Sequence, residues 1–363
     1  MTAGLAGRSA SSRWSSPAYS AAARRRFLLV LLCLSVLVLL LVTLACAYGS
    51  VPVSLAGIWG DDASGAAAAQ ARLIVLELRL PAACTAALAG ASLAVSGLQL
   101  QTYFRNPLAG PFVLGVDSGA ALGVALMLIA LPAALAADPD LAMFSDLGLS
   151  GAAIAGAAGT IALVLVVARH ALNDATLIVA GLMLSLLLAS MVSLLLHYAD
   201  PFRLQAFVLW TFGSFAGVPW QRLPAYAGLA CAGLALALWD AGGLNALQLG
   251  PLTASTLGVN HRRCRRRIIA STALLAGATV AYCGPLGVVG TAAPHIARAL
   301  LRSADHRQLM PVTAMVGAAL TLLADLFSRL LANEGTLPLN AVLAILSAPV
   351  VIAVLVRSNR SAW

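Results

Sequence analysis

The sequence contains no lysine. All 22 of its basic residues are arginine, and with 13 acidic residues only 10% of the 363 positions carry charge. A soluble domain of this length has about 25% charged residues, so the polar surface of a water-soluble globule cannot be built from this chain. The missing lysine excludes a second class. A phosphate-binding P-loop needs its Gly-x-x-x-x-Gly-Lys-Ser/Thr lysine, so ATP, if it drives this protein, is hydrolysed on a partner. Cysteine is sparse: Cys33, Cys46, Cys84, Cys231, Cys264 and Cys283 lie in apolar stretches or beside an arginine run. No pair has metal-site spacing and no disulfide framework is suggested. With no nucleophile–base pair and no metal cluster, a membrane enzyme or sensor finds no support, and no cofactor or metal is expected.

What is present is apolar. The chain is 61% hydrophobic with a mean hydropathy of +0.93, and stretches near the roughly 20 residues needed to cross a bilayer recur throughout. An all-α polytopic membrane protein is expected. Residues 1–26, rich in Ser, Ala and Arg, read as a cytoplasmic tail. The run Phe27–Ala47 ends in a signal-peptidase-like Ala45-Cys46-Ala47, yet its length exceeds the 7–15 residues of a signal core, so it reads as an uncleaved first span. Further spans are expected near 82–104, 112–131, 149–168, 175–198, 224–240, 268–284, 286–301, 310–331 and 337–356, ten in all. Residues 202–217 are too short and interrupted to cross and read as a partly buried outer helix. Gly284-Pro285-Leu286-Gly287 predicts a turn between two short helices. The membrane domain covers 27–357, and 358–363 form a second cytoplasmic tail.

Charge orients this plan. With the amino terminus inside, 17 arginines fall on the cytoplasmic side and five outside, namely Arg72, Arg79, Arg203, Arg222 and Arg329. That obeys the positive-inside rule. The run "HRRCRRR" (261–267) then anchors a cytoplasmic loop end at anionic headgroups, and a nucleic-acid partner is not expected. An internal echo supports two halves: positions 79–107 align without gaps to 266–294 with eleven identities, including Gly90/Gly277, Gly97/Gly284 and Pro107/Pro294. The second expected span runs inward and the seventh outward, the mark of inverted-topology repeats.

Small residues fill the span faces, as in "GAAIAGAAGT" (151–160), and predict close helix packing. Few polar groups lie in the spans: Gln99, Gln101, Asp117, Asp325 and His295. Asp117 and Asp325 sit near span ends, where solvent or a helix terminus accommodates them. An ion-coupled secondary transporter, the alternative reading, would place such acids in mid-span.

Three stretches carry a resemblance. "RLPAACTAALAGASLAVSGLQLQTYFRNPLAGPFVLGVDSGAALG" (79–123), "CGPLGVVGTAAPHIARALLRSADHRQLMP" (283–311) and "ADLFSRLLANEGTLPLNAVLAILSAPV" (324–350) resemble the FecCD-type permeases. These are membrane subunits of ATP-binding-cassette importers for iron-siderophores, haem and cobalamin. The resemblance implies a ten-helix permease in the bacterial inner membrane, working with two ATPase subunits, a second permease copy or paralogue, and an extracytoplasmic substrate-binding protein. Iron-siderophore complexes are the commonest cargo it implies.

The resemblance also implies sites. The cytoplasmic loop 241–267 would hold the ATPase-coupling helices, with Leu244, Asn245, Leu249, Gly250, Ala254, Leu257 and Gly258 on the coupling surface. The family's acidic residues after that glycine are replaced here by Pro251-Leu252. Val288 stands for an aromatic, Asn340 for a glycine and Ser347 for another glycine. Asn106-Pro107-Leu108 and Asn173-Asp174 match the turns that narrow the pathway's cytoplasmic end; an ordinary loop turn is the other reading. Arg79 and Arg329 match positions that receive acidic residues of the binding protein, a third arginine of that set being replaced by Ala82. Snorkelling to the outer headgroups is the alternative for both.

Overall fold

The computed structural model describes residues 17–49, 66–130, 139–170, 174–331 and 337–360. Every regular element among them is helical. Helix α1 (Pro17–Ala47) is followed by α2 (Ala66–Arg72), which runs through π-helical turns (Leu73–Arg79) into α3 (Leu80–Phe104). A 3-10 turn (Pro111–Leu114) leads into α4 (Val116–Ala130), then α5 (Pro139–His170), α6 (Asp174–His197), the short α7 (Pro201–Thr211) and α8 (Leu223–Trp239). The loop helices α9 (Ala241–Gln248) and α10 (Pro251–Thr256) come next. Helix α11 (His261–Thr272) passes through a π turn (Ala273–Gly277) into α12 (Ala278–Cys283), and α13 (Val289–Leu301), α14 (His306–Leu330) and α15 (Leu339–Arg360) complete the chain.

Each of the ten expected segments falls on a helix or helical run, but length and composition establish fewer crossings. Among the described residues five helices are long and apolar enough to cross a membrane, and six if α8 and α9, bent by 49°, form one span. The shortfall has a physical origin. The apolar parts of α4 and α15 (Val116–Ile129 and Leu339–Ala353) are short, α13 has 13 residues, and α11 opens with arginines. The expected break at Gly284 is present: its φ of 78° ends α12, where the left-handed region favours glycine. The segment expected to lie on the outer side forms α7, with Asp200 as N-cap accepting from Arg203 N and Phe207 buried.

Helix α3 is the axis of the bundle. It packs most extensively on α14, and also on α13, α8, α11 and α1. Glycines allow these approaches. A Cβ at Gly97 would collide with the Gly290 backbone, and one at Gly90 with Gly317 O and the Thr321 hydroxyl. The small-residue stripe of α5 works the same way, since Cβ atoms at Gly119, Gly123 and Gly156 would overlap Thr160, Ala152 and Gly119 across the α4–α5 contact. Within a bilayer no hydrophobic effect drives helices together, so such close approach supplies the dispersion contact that does. The two halves repeat this packing: α4 lies on α5 and α6, and α13 on α14 and α15. They also diverge, because α3 runs unbroken through Gly97 where its counterpart stops at Gly284.

A second device recurs at helix carboxyl ends, whose last carbonyls lack intrahelical donors. Arg26 donates to Leu300 O of α13 at 3.0 and 2.8 Å. Arg79 donates to Cys46 O and Ala47 O of α1 at 3.0 and 2.9 Å. Arg203 reaches Ile129 O of α4 at 2.8 Å, and Arg105 reaches Leu247 O of α9 at 3.2 Å. Each guanidinium meets the negative end of a helix dipole as well as an orphan acceptor. Two of the arginines expected outside, Arg79 and Arg203, therefore have a structural occupation.

Candidate functional site: the 241–260 loop, the turn after α3 and an arginine-lined cavity

The loop 241–260 carries no charged residue. It projects from α8 through a bend at Asp240, which is buried. The Asp240 carboxylate accepts from the Cys264 thiol at 2.9 Å and pairs with Arg267 at 3.2 Å. Burial, then the Asp240 contact, pushes the Cys264 thiol well above its usual range. The pair fixes where α9 leaves the bundle.

Seven residues were expected on the coupling surface, and they divide. Leu249 and Leu257 are exposed, at 65% and 61%; Gly258 is exposed and Gly250 half-buried. Leu244 and Ala254 are buried at 0% and 2%, so they hold α9 and α10 onto the body instead of facing a partner. Asn245 also turns inward, donating to Asp305 Oδ1 at 2.7 Å and accepting from His306 N at 2.8 Å. The most exposed large hydrophobic side chain of the loop is Leu252, at 83%. Its position was visible in sequence only as a missing acid. Gly250 (φ 115°) and Gly258 (φ 83°) hold backbone conformations that favour glycine, and they bracket α10.

The turn expected to act as a gate follows α3. Arg105 closes the helix in the left-handed region, φ 49°, and Asn106 Oδ1 accepts from Leu108 N at 2.9 Å. Asn106, Pro107 and Leu108 are all exposed, and His295 Nε2 lies 2.9 Å from Pro107 O. Asn173 lies outside the described residues, and Asp174 opens α6. The turn after α3, expected to act as a gate, is thus linked to the 241–260 loop through Arg105 and Leu247 O.

Arg79 and Arg329 come together. Both line a cavity of about 280 Å³ with Ala82, Ser214, Asp325 and Ser328. Neither is idle. Arg79 clamps α1, as above, and Arg329 meets Asp325 one turn back on α14, Nε to Oδ1 at 3.2 Å and Nη2 to Oδ2 at 2.6 Å. Among the described residues that line it, two guanidiniums therefore stand against one carboxylate. Arg72 does not line it.

One departure from the family pattern gains a reason and another does not. Asn340, where the resemblance implies glycine, accepts from Gly287 N at 3.2 Å and so secures the glycine-rich turn. Its own N–H donates to Phe212 O at 3.1 Å. Val288 caps α13, and nothing in the structure explains the loss of an aromatic there.

An all-helical bundle of apolar helices with an uncharged loop after α8, in a chain without the lysine of a P-loop, fits a membrane permease subunit. Residues 36–357 match the FecCD transport family. The chain belongs to that family. It is 38% identical over 293 residues to the "Vitamin B12 import system permease protein BtuC" of Vibrio cholerae, covering 79% of this chain and 84% of the relative. It is 36% identical over 332 residues to the "Hemin transport system permease protein HmuU" of Yersinia pestis, covering 90% and 96%. A solved structure, described as an inward-facing conformation of a metal-chelate type ABC transporter, superposes with a TM-score of 0.77 at 32% identity, covering 91% of this chain and 99% of that one. The chain is a permease subunit of an ABC importer and not an enzyme; hydrolysis resides on a separate ATPase subunit, and a dimeric permease is the expected assembly. An ion-coupled secondary transporter is not favoured.

Proposed function

We propose that this permease imports an iron-siderophore complex across the bacterial inner membrane, with both termini cytoplasmic. Haem and vitamin B12 are the competing cargoes. What supports a bulky metal chelate is that relatives matching most of the chain are named as a vitamin B12 import permease, a hemin transport permease and a metal-chelate type ABC transporter. ATP-driven rocking of two permease subunits would alternate access. Asn106, Pro107 and Leu108, with Asn173 and Asp174, would narrow the cytoplasmic end. Arg79 and Arg329 would receive acidic residues of a substrate-binding protein at the outer cavity, setting orientation and association rate more than affinity.

The ATPase would dock on Leu249, Leu252, Leu257 and Gly258. The observation that carries this assignment is the composition of the loop: no charge between Asp240 and His261, and three leucines more than 60% exposed. Such a surface suits an apolar cleft and no basic one, which departs from the acidic pattern the family resemblance implies. Arg262, Arg263 and Arg266, all exposed, would hold the loop's end at anionic lipid. Growth of a deletion strain on siderophores, haem and cobalamin tests the cargo. Restored growth on haem or cobalamin alone would overturn the siderophore assignment.

A further inference from the structure

The last turn of α3 is tied to four other elements through four of five consecutive residues. Gln101 accepts from Arg298 Nη1 of α13 at 2.8 Å and donates to Thr291 O at 3.1 Å. Thr102 Oγ1 meets His306 Nε2 of α14 at 2.8 Å. Tyr103 stacks on His261 at the start of α11, ring centres 5.6 Å apart and planes 26° off parallel, with its hydroxyl 3.3 Å from Nε2. Arg105 donates to Leu247 O of α9.

His306 is the junction. Its ring is wholly buried between α3 and the coupling loop. On the loop side its backbone N–H donates to Asn245 Oδ1 at 2.8 Å, and Nδ1 lies 2.8 Å from the same oxygen and 3.0 Å from Gln248 Nε2. Both neutral tautomers find partners. With the proton on Nδ1 the ring donates to Asn245 and accepts the Thr102 hydroxyl; with it on Nε2 the ring donates to Thr102 and accepts from Gln248. Either way α9 and the end of α3 share one bridging side chain. In a buried network the alternative to such a bond is an unpaired polar group, which is costly, so the elements move together or the bridge breaks.

The far side of this turn has little slack. Asn106 N donates to Gln101 O at 3.2 Å, so the gate turn begins where the tied turn ends. We propose that residues 101–105 transmit displacement of the coupling loop to the gate turn Asn106–Leu108, with Thr102 and His306 as positioning residues of that linkage. The proposal rests on the reading of 244–258 as the ATPase-docking loop and of 106–108 as a gate.

A single cysteine at position 106, in a cysteine-free background, reports gate state by its maleimide labelling rate in the assembled complex with its ATPase, with and without ATP and vanadate. Thr102→Val keeps shape and removes the hydroxyl. The linkage expects normal ATPase co-purification and hydrolysis, while the nucleotide-dependent change in labelling falls about fivefold, the worth of one buried hydrogen bond. Thr102→Ser should restore it. An undiminished labelling change in Thr102→Val overturns the linkage. Should Thr102→Val fail to accumulate, the exposed Arg105→Ala decides by the same two outcomes. A separate arm keeps the underlying reading distinct: Leu252→Glu that still co-purifies the ATPase refutes the docking assignment, whatever position 106 shows.

Discussion

Arg329 and Asp325 stand one turn apart on α14 and meet at two contacts, 3.2 and 2.6 Å, with side chains only 12% and 9% exposed. An exposed ion pair would contribute about 0–1 kcal/mol. This one is largely removed from solvent, so the cost of breaking it from one side is larger. Asp325→Ala strands the guanidinium beside Arg79 and should destabilise the permease by about 3 kcal/mol, the lower end for a buried partner left alone. A lower heat-aggregation midpoint in detergent checks it. Asp325→Asn keeps a neutral acceptor and should lose less.

The same geometry changes how the outer arginines are tested. Because Arg79 holds Cys46 O and Ala47 O, Arg79→Glu disturbs the α1 terminus as well as any docking contact. Arg329→Gln combined with Asp325→Asn is the cleaner probe, because it leaves the α1 terminus alone and strands neither partner of the ion pair. Binding-protein-stimulated ATPase activity should fall at low salt, where screening is weakest, with smaller change in basal activity. Stimulation that stays at the parent level would leave the two arginines with structural work alone.

Leu252→Glu places a charge on the most exposed leucine of the coupling loop and should abolish ATPase co-purification while the permease still inserts. Ala254→Glu should act differently: with Ala254 buried, it unseats α10 and lowers permease yield. Since the loop is uncharged, association of the parent complex should change little between low and high salt. A steep salt dependence would point to contacts elsewhere.

Gly97→Leu should prevent assembly of the bundle, because even a Cβ there collides with the Gly290 backbone. Overpacking of a tight contact costs about 1–3 kcal/mol for small changes, and here the obstacle is backbone. Loss of monodisperse protein on size exclusion is the expected result. Gly159→Ala on α5, where nothing lies within 4 Å of the new Cβ, should be tolerated.

Asn340→Gly restores the residue that the family resemblance implies and removes the acceptor for Gly287 N. It should cost about 1 kcal/mol, one hydrogen bond, read as a small fall in the same heat-aggregation midpoint.

Class, helix positions, the break at Gly284 and the family were all legible in the sequence. Each of these depends on local composition: apolar runs of set length, glycine at a left-handed turn, and contiguous motifs such as 79–123. Counting true crossings was beyond it, since α4, α13 and α15 are short and only their packing gives them a place. Tertiary structure decided which way each site residue faces. Ala254 and Leu252 lie two positions apart in the same uncharged loop, yet one is buried and the other 83% exposed. It also decided what the outer arginines do, because Arg79 finds its acceptors 32 and 33 residues away. The tie between Thr102 and His306 spans 204 residues. Such pairings depend on how helices pack, and helix periodicity carries no record of them.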